Sequence, residues 1–452
     1  MTMARILMII TLSLSLLGAA GAAAEELTLD RAVELALANN QTLRAAQYDA
    51  SAAAWGFGKS ISAWLPKVFL DSSWTRPDPE TVRDAEQSYE SLKRFSPDAQ
   101  PSIFENNYST SISLVQPIFN GGAELAAIEA GNINRRGADL TAADTRLQTV
   151  LDVKKSYYTV QKTKALLRVA RESLTLAQES LKFAKARLEI GAGTDSDVLR
   201  WEAEVAGAQG NLAAADNAYA QALMNLARVI GRPIDEKFQL PEMGEDLEPQ
   251  VLADAEKADL AGAKSTLPLV NHPALGAADA SVDLAQVNTW AAAGKFLPNI
   301  NFTYTYQWPT DDTIWLEGER NWTMGVTVEI PLFQGLGAIM GTGQSYRQEQ
   351  SAKMKAEAFD QTFFQRAYAA LLTLRSARLR VVSARQAVKY AQANLAIVEK
   401  RGELGLSSNL EVLDTQILYK RAQSDLIGSI SDFFLALAEW EYVTSGNDQA
   451  KH

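Results

Sequence analysis

Residues 114–122 read Leu-Val-Gln-Pro-Ile-Phe-Asn-Gly-Gly. The stretch closes an alternating, strand-like segment and opens a long run without proline. A near copy, Ile-Pro-Leu-Phe-Gln-Gly, stands at residues 330–335. Pro117 and Pro331 are 214 residues apart, and the same offset links Gly191 in ARLEIGAGTDSDVL to Gly405 in KRGELGLSSNLEVL. Self-similarity at one fixed offset marks an internal duplication, so the chain of 452 residues reads as two copies of one unit.

Just before Pro117, Tyr108, Thr110, Ile112 and Leu114 alternate with Ser109, Ser111 and Ser113. Residues 67–74 place Val68, Leu70 and Trp74 on one face, with Ser72 as the exception. The second copy alternates more cleanly. Ile300, Phe302, Tyr304, Tyr306 and Trp308 oppose Asn299, Asn301, Thr303, Thr305 and Gln307; Trp322, Met324, Val326, Val328 and Ile330 oppose Thr323, Gly325, Thr327 and Glu329. Strands of about ten residues, apolar on one side and tipped with aromatics, match a membrane β-barrel. A soluble sheet with one face on a core is the plainer alternative. Four strands cannot close a barrel, since the smallest membrane barrels have about eight. Open edges are not tolerated in lipid, so other copies of the chain supply the rest: about twelve strands in a trimer or eight in a dimer.

The strand pairs are followed by helices. Residues 123–190 and 338–404 contain no proline, and each run spans on the order of 100 Å at helical rise. The first carries Leu167, Leu174, Leu181 and Leu188 at a seven-residue interval, with Ala170, Ala177, Ala184 and Gly191 three residues on. Val381, Val388, Leu395 and Gly402, with Ala384, Ala391, Val398 and Gly405, repeat the pattern. This is a coiled-coil seam. After each glycine a second heptad helix returns, through Val198, Val205, Leu212, Tyr219 and Leu226, or Val412, Tyr419, Leu426, Phe433 and Trp440. Upstream, residues 28–63 read as one helix, and residues 76–106, polar and acidic with four prolines, as a loop. That loop makes the first strand connection 18 residues longer than the second.

Composition narrows the function. A formal charge of −11 and a pI near 5.0 speak against nucleic acid, which needs clustered basic surface. There is no cysteine and only two histidines, His272 and His452. Disulfides, thiolate sites and thiol nucleophiles are excluded, and no catalytic residue, cofactor or metal is expected. Arg5, a short apolar run over residues 6–17 and Ala22-Ala23-Ala24 read as a secretory leader.

These features resemble the TolC-like family of outer-membrane efflux and secretion proteins. The resemblance rests on Leu65-Pro66 and Leu297-Pro298 before the strands, Gln116-Pro117-Ile118-Phe119 and Ile330-Pro331-Leu332-Phe333 after them, and the two glycine turns. Pro66, Pro117, Pro298 and Pro331 are then strand–helix junctions. The expected fold is mainly α with a small membrane β part: a duplicated unit of two strands plus a long coiled-coil hairpin. The resemblance implies a homotrimer sharing one 12-stranded barrel in the outer membrane of a Gram-negative bacterium, with an α-helical tunnel crossing the periplasm. It also implies a periplasmic adaptor and an inner-membrane pump as partners. The expected organisation is a signal peptide at 1–24, a first repeat at 25–230 (strand pair 67–116, hairpin 123–230), a linker at 231–266, a second repeat at 267–445 (strand pair 299–330, hairpin 337–445) and a tail at 446–452. The function so implied is a passive exit duct of an efflux or type I secretion system, not an enzyme. The alternative is a periplasmic coiled-coil adaptor without its own pore.

The same resemblance maps Glu411 and Asp414 onto acidic positions lining the periplasmic entrance, with Asp195 and Asp197 near them. Three copies would form a ring of carboxylates that favours cations. Thr194 with Asp197 and Ser408 with Glu411 also fit a capping box, a local role that leaves Asp195 and Asp414 unexplained. Arg187, Gly191, Arg401, Gly405, Ser407 and Ser408 are placed at adaptor-docking tips; Arg187 and Arg401 equally suit a helix C-terminus. One departure stands out. Leu406, Ser407, Ser408 and Asn409 offer no charge to pair with Asp197, and the nearest bases, Lys400 and Arg401, precede the glycine. Either the lock differs from that of relatives with a basic or aromatic side chain there, or the closed state rests on packing alone.

Overall fold

The computed structural model describes residues 26–97, 103, 105–235, 238–241, 271–310, 313–316, 320–404 and 406–445. The leader at 1–24, most of the linker, Gly405 and the tail at 446–452 lie outside these residues. The chain runs through α1 (Leu29–Asn39), α2 (Gln41–Ile61), β1 (Lys67–Thr75), α3 (Pro79–Lys93), β2 (Asn107–Asn120), α4 (Ala123–Glu189) and α5 (Asp195–Val229). It continues with α6 (Pro273–Gly294), β3 (Asn299–Thr310), β4 (Asn321–Glu329), α7 (Gly337–Glu403) and α8 (Asn409–Thr444). The duplicated order of strand pair and long hairpin is therefore present, mainly helical with one small antiparallel sheet.

Three boundaries differ from the sequence reading. The single helix expected over 28–63 is two, because Asn40 breaks it. Its backbone is extended, its Nδ2 donates to Val229 O at 2.8 Å, and its Oδ1 accepts from Leu43 N–H at 3.0 Å. The loop expected over 76–106 contains helix α3. Asp78 caps it through the N–H groups of Glu80 (2.9 Å) and Thr81 (3.2 Å), Pro79 occupies the first turn, and Val82, Ala85 and Tyr89 share its half-buried face. Strand β2 runs past 116 to Asn120. Pro117 cannot donate to a ladder, and the register slips between Pro117 and Phe119 to accommodate it.

The chain forms two compact units, each drawing on both repeats. One comprises residues 1–46, 142–273 and 361–452. Its apolar centre joins Ala32 and Ala36 of α1, Val153 and Tyr157 of α4, and Leu226 and Ile230 at the end of α5. A second cluster packs Leu374, Ala377 and Val381 of α7 on Phe433 and Phe434 of α8. Two carboxylates of α8 each bridge the flanking helices. Asp432 meets Lys162 and Arg380 at 3.6 and 3.7 Å; Glu439 meets Lys155 and Arg366 at 2.6 and 2.7 Å. His272 is buried here on Phe363, 3.1 Å from Tyr442 O, and Tyr442 Oη donates to Asp144 at 2.8 Å.

The other unit comprises residues 47–141 and 274–360. It holds the sheet, ordered β1-β2-β3-β4 and antiparallel throughout. Pairing of β2 with β3 joins the strand pairs of the two repeats. Below the sheet, Ala126 and Ile133 of α4 pack against Ala280 and Val287 of α6.

Candidate functional site

The register decides which side chains share a face. Val68, Leu70, Ser72 and Trp74 of β1 stand opposite Leu114, Ile112, Thr110 and Tyr108 of β2. Those residues in turn face Tyr304, Tyr306, Trp308 and Thr310 of β3, and Phe302, Tyr304 and Tyr306 face Val326, Met324 and Trp322 of β4. One apolar, aromatic-rich surface thus crosses all four strands. The opposite face carries Asp71, Ser111, Thr305 and Thr323 in one row or its neighbours. Trp74, Leu70, Trp322, Met324 and Val326 are all exposed. Among the described residues, the outer edges of β1 and β4 have no strand partner.

The four prolines flank these strands. Pro66 and Pro298 immediately precede β1 and β3, Pro331 follows β4, and Pro117 sits at the bulge of β2. Gln116 Nε2 donates to Trp64 O and Pro117 O at 2.9 and 2.8 Å, tying entry into β1 to exit from β2. Gly121, at φ +60°, donates to Pro298 O at 3.2 Å. There the chain crosses itself so closely that a Cβ on Gly121 would lie 2.1 Å from Gly294 O.

At the first hairpin turn, Gly191 adopts φ +70°. Its N–H reaches Leu188 O at 3.0 Å, and Ala192 N–H reaches Arg187 O at 2.8 Å, closing the end of α4 by the left-handed residue that such caps use. Thr194 and Asp197 form the reciprocal capping box of α5. Arg187 Nη2 donates to Ala192 O at 3.2 Å. The second turn repeats this arrangement: Leu406 N–H meets Arg401 O at 2.8 Å, Arg401 Nη2 donates to Leu406 O at 3.1 Å, and Ser408 Oγ caps Glu411 N–H at 3.1 Å. Arg401 Nη1 also reaches Glu411 Oε1 at 3.2 Å. The base preceding the glycine therefore pairs with a carboxylate ten residues later. Asp195 and Asp414 are exposed, while Ser407 Oγ is buried and, among the described residues, has no hydrogen-bond partner.

Sequence reasoning missed the contact between the two hairpins. Trp201 of α5 packs with Ala184 of α4 and Leu413 of α8, and all three are buried. Leu413 lies between Glu411 and Asp414, so this apolar cluster sets where the acidic pair stands. Trp201 lines two grooves, one of about 360 Å³ with Leu413 and Lys420, the other of about 650 Å³ with Arg187, Ser407 and Val412. A signal was present: three residues after Val198, the row Trp201, Ala208, Ala222 is alanine apart from its first, bulky member.

A family profile described as outer membrane efflux protein matches residues 32–232 and 266–430. The chain belongs to this family. The toluene efflux pump outer membrane protein TtgC of Pseudomonas putida, a relative by sequence, is 26% identical over 286 residues, which is 63% of this chain and 57% of TtgC. The match thus spans a little over half the length of that relative. The alkaline protease secretion protein AprF of Pseudomonas aeruginosa is 23% identical over 371 residues, 76% of this chain and 71% of AprF. The crystal structure of the Campylobacter jejuni CmeC outer membrane channel superposes with a TM-score of 0.78 at 16% identity, covering 94% of this chain and 88% of that one. The family fold, a duplicated strand pair and helical hairpin, is the fold described above.

Proposed function

We propose that this chain is the outer-membrane channel-tunnel of a tripartite efflux or type I secretion system, a passive exit duct located in the outer membrane of a Gram-negative bacterium. The observation that carries the proposal is the four-stranded sheet, with one mainly apolar face that crosses all four strands and, among the described residues, two open edges. Unpaired strand edges are costly in lipid. Pairing β4 of one copy with β1 of the next removes them, and three copies close a 12-stranded barrel. The hairpins α4–α5 and α7–α8 form the periplasmic tunnel. Their turns, with Arg187, Gly191, Arg401, Gly405, Ser407 and Ser408, meet a periplasmic adaptor, which links the duct to an inner-membrane pump.

Glu411 and Asp414, with Asp195 and Asp197 on the first hairpin, line the periplasmic entrance. Asp197 serves the cap of α5. The Trp201–Ala184–Leu413 packing together with the Arg401–Glu411 pair holds the entrance closed. Single-channel recording of the purified protein, before and after Glu411→Ala with Asp414→Ala, tests the assignment. Small cation-selective currents, blocked by multivalent cations in the parent only, are expected. Currents unchanged by the double substitution would move the gate elsewhere.

A further inference from the structure

Ser72 and Thr110 interrupt the apolar face of the sheet within its strands, and the register sets them opposite each other. Their hydroxyl oxygens are 2.8 Å apart, and Thr110 Oγ1 donates to the carbonyl of Ile314 at 2.9 Å. With its own proton committed, Thr110 accepts from Ser72. Ile314 belongs to the connection from β3 to β4, so residues 313–316 fold back over the apolar face instead of continuing beyond the strand ends. Thr110, at 6% exposed, is covered in consequence. Two local bonds shape the fold-back: Thr313 N–H to Thr310 Oγ1 at 3.4 Å and Trp315 N–H to Thr313 Oγ1 at 3.2 Å. The segment reads Thr-Ile-Trp-Leu, carries no charge and leaves Ile314, Trp315 and Leu316 exposed, Trp315 at 72%.

We infer that residues 313–316 are a lipid anchor, which seats Ile314, Trp315 and Leu316 in the boundary between headgroups and acyl chains beside the end of the barrel. The inference rests on the barrel reading given above. Two features favour lipid as the occupant. The segment continues the apolar face at the level of Trp74, Tyr108 and Trp308, where amphipathic rings are favoured at a membrane surface. The relay from Ser72 through Thr110 to Ile314 O also satisfies the Ser72 and Thr110 hydroxyls on a face that meets hydrocarbon, where an unsatisfied polar group costs several kcal/mol.

The absence of cysteine makes the test direct. Trp315→Cys and Val326→Cys, each in the full chain, are labelled with an environment-sensitive fluorophore and reconstituted into phosphatidylcholine vesicles. The vesicles carry nitroxide lipids spin-labelled near the headgroup or deep in the chain. The anchor predicts that the label at 315 is quenched several-fold more by the shallow nitroxide than by aqueous iodide. It also predicts that Thr110→Val, which removes the tether, reverses that preference. A label at 315 quenched by iodide and indifferent to both lipids, with the label at 326 still quenched by lipid, refutes the anchor and leaves the barrel intact. A label at 315 shielded from iodide and lipid alike places another copy of the chain on the segment and also refutes it. Loss of lipid quenching at both positions overturns the barrel reading and the anchor with it.

Discussion

Trp201→Ala should unlatch the entrance. Trp201 is 5% exposed, held between Ala184 and Leu413 with Leu181 and Val198 alongside. A tryptophan side chain buries about 150–250 Å². Opening that draws α8 away from the first hairpin uncovers the side facing Leu413, about half of that area. At about 25 cal/mol per Å² the uncovered surface is worth roughly 2.5 kcal/mol, or about 70-fold in the ratio of open to closed states. The figure is a ceiling, because it assumes full exposure on opening. Trp201→Phe, which keeps most of the buried area, should retain most of the latch. Single-channel recording in planar bilayers reads the change as longer and more frequent open events, after thermal melting has established that the variant still assembles; the large-to-small change itself costs about 3–5 kcal/mol of stability. Leu413→Ala should act in the same direction, and the double variant should fall short of the sum, because the two side chains share one contact. An assembled Trp201→Ala channel with the open probability of the parent would refute the latch.

Three further outcomes are expected. Gly294→Ala places a Cβ 2.2 Å from Gly121 O, backbone against backbone, whereas Gly122 has open space and only its φ of +78° to constrain it. Heat resistance of the assembled oligomer should fall further for Gly294→Ala than for Gly122→Ala, which carries only about 1–2 kcal/mol of left-handed strain; equal losses would deny the close approach any role. Val326→Arg on the apolar face costs about 2–4 kcal/mol in lipid and should deplete the protein from the outer-membrane fraction, while Thr327→Arg, one residue on and on the opposite face, should not. Equal depletion would mean the sidedness is wrong. Burial raises the Glu439 carboxyl, but hydrogen bonds from Lys155 and Arg366 outweigh it and hold the pKa below its ordinary value. The unfolded chain therefore binds the proton first, so Glu439 contributes stability above about pH 4.5 that is lost as pH falls through the depressed value. Glu439→Gln should lower the melting temperature at neutral pH and flatten its decline in acid, read by the helical circular dichroism signal; a parallel acid decline would show that the bridge to α4 and α7 is not responsible.

The parts of the fold that were legible in the sequence are those encoded locally. Period-two alternation at 299–308 and 322–330, the proline-free runs and the glycine turns each state their own structure. The repeat made each reading independent evidence for the other. What escaped depended on distant groups. Asn40 ends α1 because Val229, 189 residues away, offers it a carbonyl. Strand β2 outruns Pro117 because β3, from the other repeat, tolerates a slipped register. Helix α3 is the exception, since Asp78-Pro79 is a local start signal that the acidic composition around it obscured. At the hairpin turns the capping roles of Thr194, Asp197 and Ser408 could be read from spacing. Arg401–Glu411 spans a turn whose geometry no spacing rule supplies, and Trp201–Leu413 joins two repeats.

The central claim is that each chain provides one third of a barrel. Native mass spectrometry of the detergent-extracted protein tests it most directly. The account predicts a species of three chains that persists until the detergent micelle is stripped away. A monodisperse single chain, leaving both sheet edges open, would contradict it.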